Sequence, residues 1–405
     1  MDKSSKLSNA INSENNVDLY FLNQLGSLLI LTSIFFINFV SRITPAPLAP
    51  KIEIDLNLSH ADAGALFLAI SLGYFITLSG SGLVSSRLNH KRTIIISNTA
   101  LGFALIGTSF CSGPWTIRLG LFIVGMTAGL YLPSGIATLT SLIPSHHWGK
   151  GLAVHEAAPN LSFIAAPLIC EAVQLWFSWR MVFFLIGVVA LMMSPVFWRY
   201  NRGGEFKGEA LGVASFRLLF GNFSFWIMIL MFSLGVIGTL GVYTMLPLYL
   251  VTEHSIDVNR ANTLIALSRI PCMIMAFVAG WATDRIGPRR TLRIVLLLSG
   301  LMTLFLGIAS PSVILYIVFL QPVVAVCFFP AGFAAMSLIV SAKLRNIAVS
   351  FIVPLAFVIG GGLAPVFIGF LGDLGRFALG IAISGGLITA GAVFAGSLKF
   401  HGQQD

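Results

Sequence analysis

The feature that most constrains this chain is a series of about twelve long apolar runs, separated by short polar segments. The hydrocarbon core of a bilayer requires roughly 20 apolar residues per helical span, and open strand edges do not occur in lipid. We therefore predict an all-α, multi-pass membrane protein with twelve transmembrane helices. The runs cover residues 22–43, 64–85, 94–112, 114–142, 150–174, 181–198, 221–250, 260–283, 291–310, 312–341, 347–372 and 376–398.

The charge content supports a membrane location. Charged residues make up 10% of the chain and hydrophobic residues 57%, whereas soluble domains carry about 25% charged residues. The formal net charge is +9, which in a soluble protein would suggest nucleic-acid binding. Here the basic residues lie in short loops, where the positive-inside rule explains them, so we exclude nucleic acid as a partner.

The residue patterns offer no sign of an enzyme. The chain has no P-loop, no catalytic constellation and no cluster of metal ligands. The four cysteines fall in apolar runs without C-x-x-C spacing, which indicates packing rather than a metal site or a disulfide. We expect neither a cofactor nor a metal.

The distribution of Lys and Arg predicts the orientation. With the N-terminus inside, about 17 of the 24 Lys and Arg residues face the inner side and about 5 the outer side. Both termini should therefore face the cytoplasm, in a cell membrane of the bacterial inner-membrane kind. The predicted units are a tail over 1–20, a six-helix bundle over 21–198, a loop over 199–217, a second bundle over 218–398 and a tail over 399–405.

The two predicted bundles repeat each other in sequence. Three anchor residues recur in order at nearly the same offset of about 200 residues, which indicates a duplication, with both copies in the same orientation in the membrane. A substrate site would then lie between the halves, near mid-membrane. The pairs are Gly82 and Gly280, Pro133 and Pro330, and Pro167 and Pro365.

Two charged loops carry a family resemblance. The segment "GWATDRIGPRR" (280–290) resembles the signature loop G-x-x-x-D-R-x-G-R-[RK] of the major facilitator superfamily and departs from it at Pro288. The segment "GLVSSRLNHKR" (82–92) is a partial copy, with Ser86 in place of the acid and Asn89 in place of the second glycine. Matching residues are Gly280, Asp284, Arg285, Gly287, Arg289 and Arg290 in the second copy, and Gly82, Arg87, Lys91 and Arg92 in the first.

The resemblance implies two six-helix bundles and transport by alternating access. In this family the loop latches the cytoplasmic side shut, so Asp284 is expected to do so here and Ser86 to give a weaker latch in the first half. Glycine permits the tight reversal. The alternative is that these charges only anchor the topology.

Two arginines lie inside apolar runs. Arg269 is about 22 Å along its helix from Asp284, near the centre of the bilayer, where an Arg costs roughly 2.5–3.5 kcal/mol or more. Arg42 lies in the first run, before "TPAP". A guanidinium can bind two oxygens of a carboxylate, nitrate or sulfonate. We predict anion contact for both; the alternatives are structural pairing for Arg269 and outward snorkelling for Arg42. Arginines in the first and eighth helices also resemble those of anion carriers in the superfamily.

Several other polar groups in apolar runs are candidates for the site. His155 and Glu156 could carry a proton, or could form a pair bonded to the neighbouring loop. Tyr74, Tyr243, Gln321 and Asn160 could contact substrate, although hydrogen bonding between helices is the default for such residues. The glycines of "VIGGGLAP" (358–365) would let the eleventh helix bend or pack closely.

Together these patterns predict a monomeric secondary active transporter for a small organic or inorganic anion, coupled to protons or to exchange. One alternative is an efflux carrier for a neutral or amphipathic compound. The other is a membrane sensor that does not transport, which the altered first loop with Ser86 and Asn89 favours slightly.

Overall fold

A computed structural model describes residues 24–144, 147–208, 220–339 and 345–398. Within these ranges, eleven helices are long and apolar enough to cross a membrane, and His90–Ser109 adds a further helix of 20 residues. The twelve-helix, all-α prediction is thereby confirmed. The helices are α1 Gln24–Leu56, α2 His60–Leu88, α3 His90–Ser109, α4 Pro114–Leu142, α5 Trp148–Gln174, α6 Trp179–Tyr200, α7 Phe223–Thr252, α8 Val258–Ile286, α9 Pro288–Ile308, α10 Ile314–Leu338, α11 Ala348–Asp373 and α12 Phe377–Ser397.

The third helix is more polar than its neighbours because it hydrogen-bonds inside the bundle. Asn98 donates to the carbonyl of Ala190 at 2.6 Å and contacts the Ser194 hydroxyl at 3.0 Å, both on α6. Gly102 and Gly187 let the two backbones meet, since a Cβ on Gly102 would lie 2.8 Å from the Gly187 carbonyl oxygen. The polar groups of α3 thus serve helix packing.

The first helix is longer than its apolar run. The run predicted an end near residue 43, but the helix continues to Leu56 with a single turn at Thr44. Pro45 starts the second segment, where its missing N–H has no helical partner to lose. The correction moves Arg42 from the end of the span to its middle.

Both charged loops lie on the same side of the molecule, here named the charged-loop side, because α2 and α8 end there. The two halves touch at the backbone on the opposite side. A Cβ on Gly64 of α2 would lie 2.5 Å from the Pro365 carbonyl oxygen of α11, and a Cβ on Gly369 would lie 2.2 Å from the His60 carbonyl oxygen. Glycine at these two places permits the close approach of the halves.

The helices α7 and α11 each contain one π turn, over Ile237–Gly241 and Ile359–Leu363. The two turns pack against each other, since a Cβ on Gly241 would lie 2.5 Å from the Gly360 carbonyl oxygen. Such turns alter the i→i+4 hydrogen-bond ladder and are frequent at functional sites. The close packing predicted for residues 358–365 takes this form.

The sequence repeat extends to backbone conformation. Asn89 has φ 79° and ψ 163°, and Gly287, its counterpart in the second copy, has φ 86° and ψ 149°. Each residue precedes a helix of its half. This region of φ and ψ is essentially restricted to glycine, so Asn89 is strained, and its side chain accepts a bond from the Arg92 amide at 2.9 Å.

We expect Asn89→Gly to stabilise the protein. Relief of the strain is worth about 1–3 kcal/mol, while exchanging an Asn cap for Gly costs only a few tenths of a kcal/mol. Thermal melting of the purified protein in detergent should therefore show a higher Tm. The reciprocal change, Gly287→Asn, should lower the Tm; a lower Tm for Asn89→Gly would contradict the prediction.

Residues 201–208, here named the docked segment, lie against the first charged loop. The Lys91 amide donates to the Gly204 carbonyl at 2.7 Å, and the Gly208 amide donates to the Ser85 carbonyl at 3.1 Å. Glu205 pairs with the Lys91 ammonium at 3.0 Å. Part of the predicted 199–217 loop thus belongs structurally to the first half. The rest of this loop, 209–217, and both predicted tails, 1–20 and 399–405, lie outside the described residues.

Candidate substrate site between the two halves

Arg269 lies at the break in α8, two residues before Pro271, with 5% of its surface exposed. Its guanidinium donates to the Thr239 carbonyl at 3.3 Å. The guanidinium carbon lies 4.6 Å from the ring centre of Phe163, in the first half, and 4.8 Å from that of Tyr243. The Arg269 Nε atom and the Tyr243 hydroxyl are both buried without a hydrogen-bond partner.

Arg42 forms a similar arrangement in the first half. It is 8% exposed, and its Nε donates to the Asn38 carbonyl at 3.4 Å. The guanidinium carbon lies 4.7 Å from the ring centre of Phe39 and 4.3 Å from that of Tyr74. The side chain is therefore held inside the protein, and the outward snorkelling that the sequence left open does not occur.

Neither arginine has an acidic partner within the described parts of the chain. Aromatic rings over a desolvated guanidinium offset about 2 kcal/mol or more of the cost of burial. A guanidinium has five N–H donors, and one long hydrogen bond leaves most of them available. The anion contact predicted for both arginines stays a prediction.

A small cavity opens beside Arg42, between the two halves. Its volume is about 20 Å³, which is room for about one water molecule. The residues around it are Phe39, Arg42, Ile43, Phe67, Ile70, Ser71 and Tyr74 from the first half and Leu240, Thr244, Phe357 and Gly361 from the second.

Aromatic rings connect the two arginines. Phe39, over which Arg42 lies, packs edge-to-face against Phe163 at 5.3 Å between centroids. Phe163 in turn meets Tyr243 of the second half at 4.7 Å. The two guanidiniums therefore share one aromatic cluster, named here by its members Phe39, Tyr74, Phe163 and Tyr243, that spans both halves.

Gln321 is buried but bonds within the second half. Its amide nitrogen donates to the Gly238 carbonyl at 2.7 Å and to the Thr303 hydroxyl at 3.0 Å, which ties α10 to α7 and α9. It does not line the cavity. The π turn of α7 thus supplies carbonyls to both Gln321 and Arg269.

His155 and Glu156, the two candidate proton carriers, contact each other but face different surroundings. His155 is fully buried, stacks on Phe35 at 4.3 Å and lies with Nε2 3.0 Å from the Tyr131 hydroxyl. Its Nδ1 lies 3.2 Å from the carboxylate of Glu156, whose side chain is 54% exposed. Asn160 donates to the Glu156 carbonyl at 3.3 Å. His155 therefore points into the first half, and the proton role of the pair stays a prediction.

Among the described residues, the second charged loop shows no contact that would latch the two halves. Asp284 is exposed and forms no ion pair with any described residue. Arg285 lies over the exposed Trp281 at 4.8 Å, and Arg289 donates to the Leu398 carbonyl. Gly287 provides the reversal through its positive φ.

The other loop residues lie apart from any inter-half contact that the structure shows. Nothing lies within 4 Å of a Cβ placed on Gly280. The exposed residues are Arg290 in the second copy and Arg87 and Arg92 in the first, while Gly82 and Lys91 are half-buried. The latching role of both loops stays a prediction.

A set of polar contacts on the opposite side was missed by the sequence analysis. Asp373 at the end of α11 accepts hydrogen bonds from the amides of His60, at 2.7 Å, and Ala61, at 3.1 Å, at the start of α2. A carboxylate is favoured at such a helix N-terminus. The Thr263 hydroxyl of α8 also donates to Glu171 of α5 at 3.1 Å. The charges of Asp373 and Glu171 were visible in the sequence, but their partners were not.

Known proteins share this arrangement of helices. A family model described as "Major Facilitator Superfamily" matches residues 31–268 and 242–401. A bacterial homologue of the human lysosomal transporter Spinster, solved inward-facing and occupied, superposes with a TM-score of 0.78 at 15% identity, over 92% of this chain and 96% of that one. A D-xylose–proton symporter gives 0.75 at 15% identity, over 92% and 97%.

Curated relatives are similar at the sequence level. A gallate transporter of Pseudomonas putida is 23% identical over 65% of this chain and 66% of its own length. A probable L-galactonate transporter of Escherichia coli K12 is 24% identical over 91% and 88%. The membrane sensor protein UhpC of Salmonella typhimurium is 24% identical over 70% and 69%. With the family model covering most of the chain, the protein belongs to the Major Facilitator Superfamily, a family of multi-pass membrane transporters, and is not an enzyme.

Proposed function

We propose that this protein is a secondary active transporter that moves a small anion across a cell membrane by alternating access. One observation carries the proposal. Arg269 is buried at the contact between the halves, has no acidic partner among the described residues, and leaves its Nε and the nearby Tyr243 hydroxyl without partners. Unpaired buried donors of this kind are costly unless a ligand satisfies them.

The proposed anion site involves both halves, so anion binding would depend on their relative position. Phe163 belongs to the first half and lies over the guanidinium of Arg269 in the second. An anion bound to the N–H edge of Arg269 would replace the long bond to the Thr239 carbonyl with shorter charge-assisted bonds. Movement of one half against the other then changes the surroundings of the bound anion, as alternating access requires.

The relatives support an anionic cargo and leave its identity open. Two of them are named for gallate and L-galactonate, which are organic acids. For coupling, we propose protons or exchange, with His155 and Glu156 as the candidate proton carriers. We further propose that the transporter acts as a monomer with both termini in the cytoplasm.

A thermal-shift experiment on purified protein tests the anion site. Small anions should raise the Tm of the wild type with concentration, since a ligand at 100 times its Kd adds about 2.7 kcal/mol of stability. Arg269→Ala should lose the response. The matched control is Arg260→Ala, which removes an exposed cation from the same helix and should respond like the wild type. An equal response of Arg269→Ala would reject Arg269 as the anion site.

A transport measurement on the same variants distinguishes an anion transporter from an efflux carrier. In proteoliposomes, an anion gradient should drive flux through the wild type, and Arg269→Ala should reduce it to background. If Arg269→Ala carries neutral or amphipathic compounds at the rate of the wild type, the hypothesis of an efflux carrier replaces that of an anion transporter.

A sensor that does not transport is the second candidate, favoured by the similarity to the membrane sensor UhpC. Such a protein would bind an anion with the same dependence on Arg269 and yet show no flux in proteoliposomes. Binding together with flux therefore selects the transporter, and binding without flux selects the sensor.

A further inference from the structure

The cavity beside Arg42 has few groups that could hydrogen-bond the body of a cargo. Besides Arg42, its polar side chains are Ser71, Tyr74 and Thr244. The Thr244 hydroxyl already donates to the Gly241 carbonyl at 2.8 Å. A cargo with many hydroxyl groups would leave most of them without partners once water is excluded, which is unfavourable.

The aromatic cluster restricts how an anion can approach. Phe39 and Tyr74 lie against the guanidinium of Arg42, and Phe163 and Tyr243 against that of Arg269. Because the rings lie against the guanidinium carbons, we expect a carboxylate to bind at the N–H edges, where it can form two parallel hydrogen bonds. The body attached to that carboxylate then extends among the flanking rings.

At either arginine, the part of the cargo that carries the carboxylate would lie against aromatic rings. Because Phe39 packs on Phe163, the rings form one continuous cluster, and a body held at either guanidinium meets aromatic surface. A flat ring conjugated with its carboxylate is coplanar with it and can stack or meet an edge in such surroundings. A compact inorganic anion gains nothing from these rings.

We propose, on the basis of the function proposed above, that the cargo is a carboxylate with a flat, apolar body of the arene carboxylate class. Phe163 is then a residue that determines specificity, because it meets the body while Arg269 holds the charge. Polyhydroxylated acids and inorganic anions are disfavoured by the same site.

A thermal-shift comparison of four monovalent anions tests the proposed cargo class. The anions are benzoate, cyclohexanecarboxylate, gluconate and nitrate. We expect benzoate to bind at least about tenfold more tightly than gluconate or nitrate, because burial of each apolar carbon group is favourable. Cyclohexanecarboxylate should fall between them, because its body is apolar but not flat.

Variants of one ring test the role of Phe163. Phe163→Leu should weaken the binding of benzoate about two- to tenfold and leave the binding of nitrate unchanged. Phe163→Tyr keeps a ring and should therefore bind benzoate like the wild type. Phe103→Leu is the control, since this phenylalanine of α3 is 63% exposed, away from the cluster. Equal losses for benzoate and nitrate in Phe163→Leu would reject a role in specificity.

The outcomes distinguish this inference from the proposed function. If gluconate or nitrate binds as tightly as benzoate, with dependence on Arg269, the arene class is wrong and the anion transporter stands. If no anion stabilises the wild type, the arene class and the proposed anion transporter both fall. If Arg269→Ala responds like the wild type, Arg269 is rejected as the anion site, and the proposed specificity of Phe163 is rejected with it.

Discussion

Replacing Gly369 with valine is expected to abolish transport while both halves stay folded. A Cβ at this position would lie 2.2 Å from the His60 carbonyl oxygen of the other half, so the opposite side could not close. Overpacking costs about 1–3 kcal/mol or more, which lowers the population of the closed arrangement roughly 5- to 150-fold or more. Flux in proteoliposomes should fall accordingly, with little change in Tm.

The control for this variant is Gly386→Val. Gly386 lies in α12 with nothing within 4 Å of its Cβ position, so the added side chain should leave flux unchanged. Wild-type flux through Gly369→Val would show that the observed approach of α2 and α11 is not needed in the transport cycle.

Replacing Gly125 with valine should instead destabilise the fold of the first half. A Cβ on Gly125, in α4, would lie 2.1 Å from the Ile70 carbonyl oxygen of α2, and backbone cannot move aside as a flexible side chain can. We expect a loss of about 1–3 kcal/mol or more, measured as a lower Tm and a smaller yield of monodisperse protein.

Gly80→Val provides the comparison within the same pair of helices. It lies on α2 with nothing within 4 Å of its Cβ position, and it carries the same cost of a β-branched residue in a helix. The difference in Tm between the two variants isolates the α2–α4 contact. A Tm for Gly125→Val equal to that of Gly80→Val would contradict this contact.

The helices could be predicted because each membrane span requires a long apolar run, which can be recognised in one segment without knowledge of the others. Apolar runs of sufficient length predicted the spans, and glycine at 287 predicted the reversal. The extension of α1 through Pro45 was missed, because proline signals a helix end as readily as a helix start. The contact of Asp373 with His60 was missed because it joins residues 313 positions apart.

The candidate site could be predicted only in part, for a related reason. Arg42 and Arg269 stand out because a cation in an apolar run is costly. Phe39 and Phe163 do not stand out, since phenylalanine is common in any span. Gln321 and His155 are polar and buried as expected, but helices apolar on every face give no periodicity to show which side meets the cavity.

The docked segment has a consequence for the reach of the connection between the halves. Because residues 201–208 are bonded to the first half, the length of chain that joins this half to α7 is counted from Gly208 and not from the end of α6. From Gly208 to Phe220 a fully extended chain spans at most about 40 Å. This length sets an upper limit on how far the first loop and the start of α7 can separate on the charged-loop side.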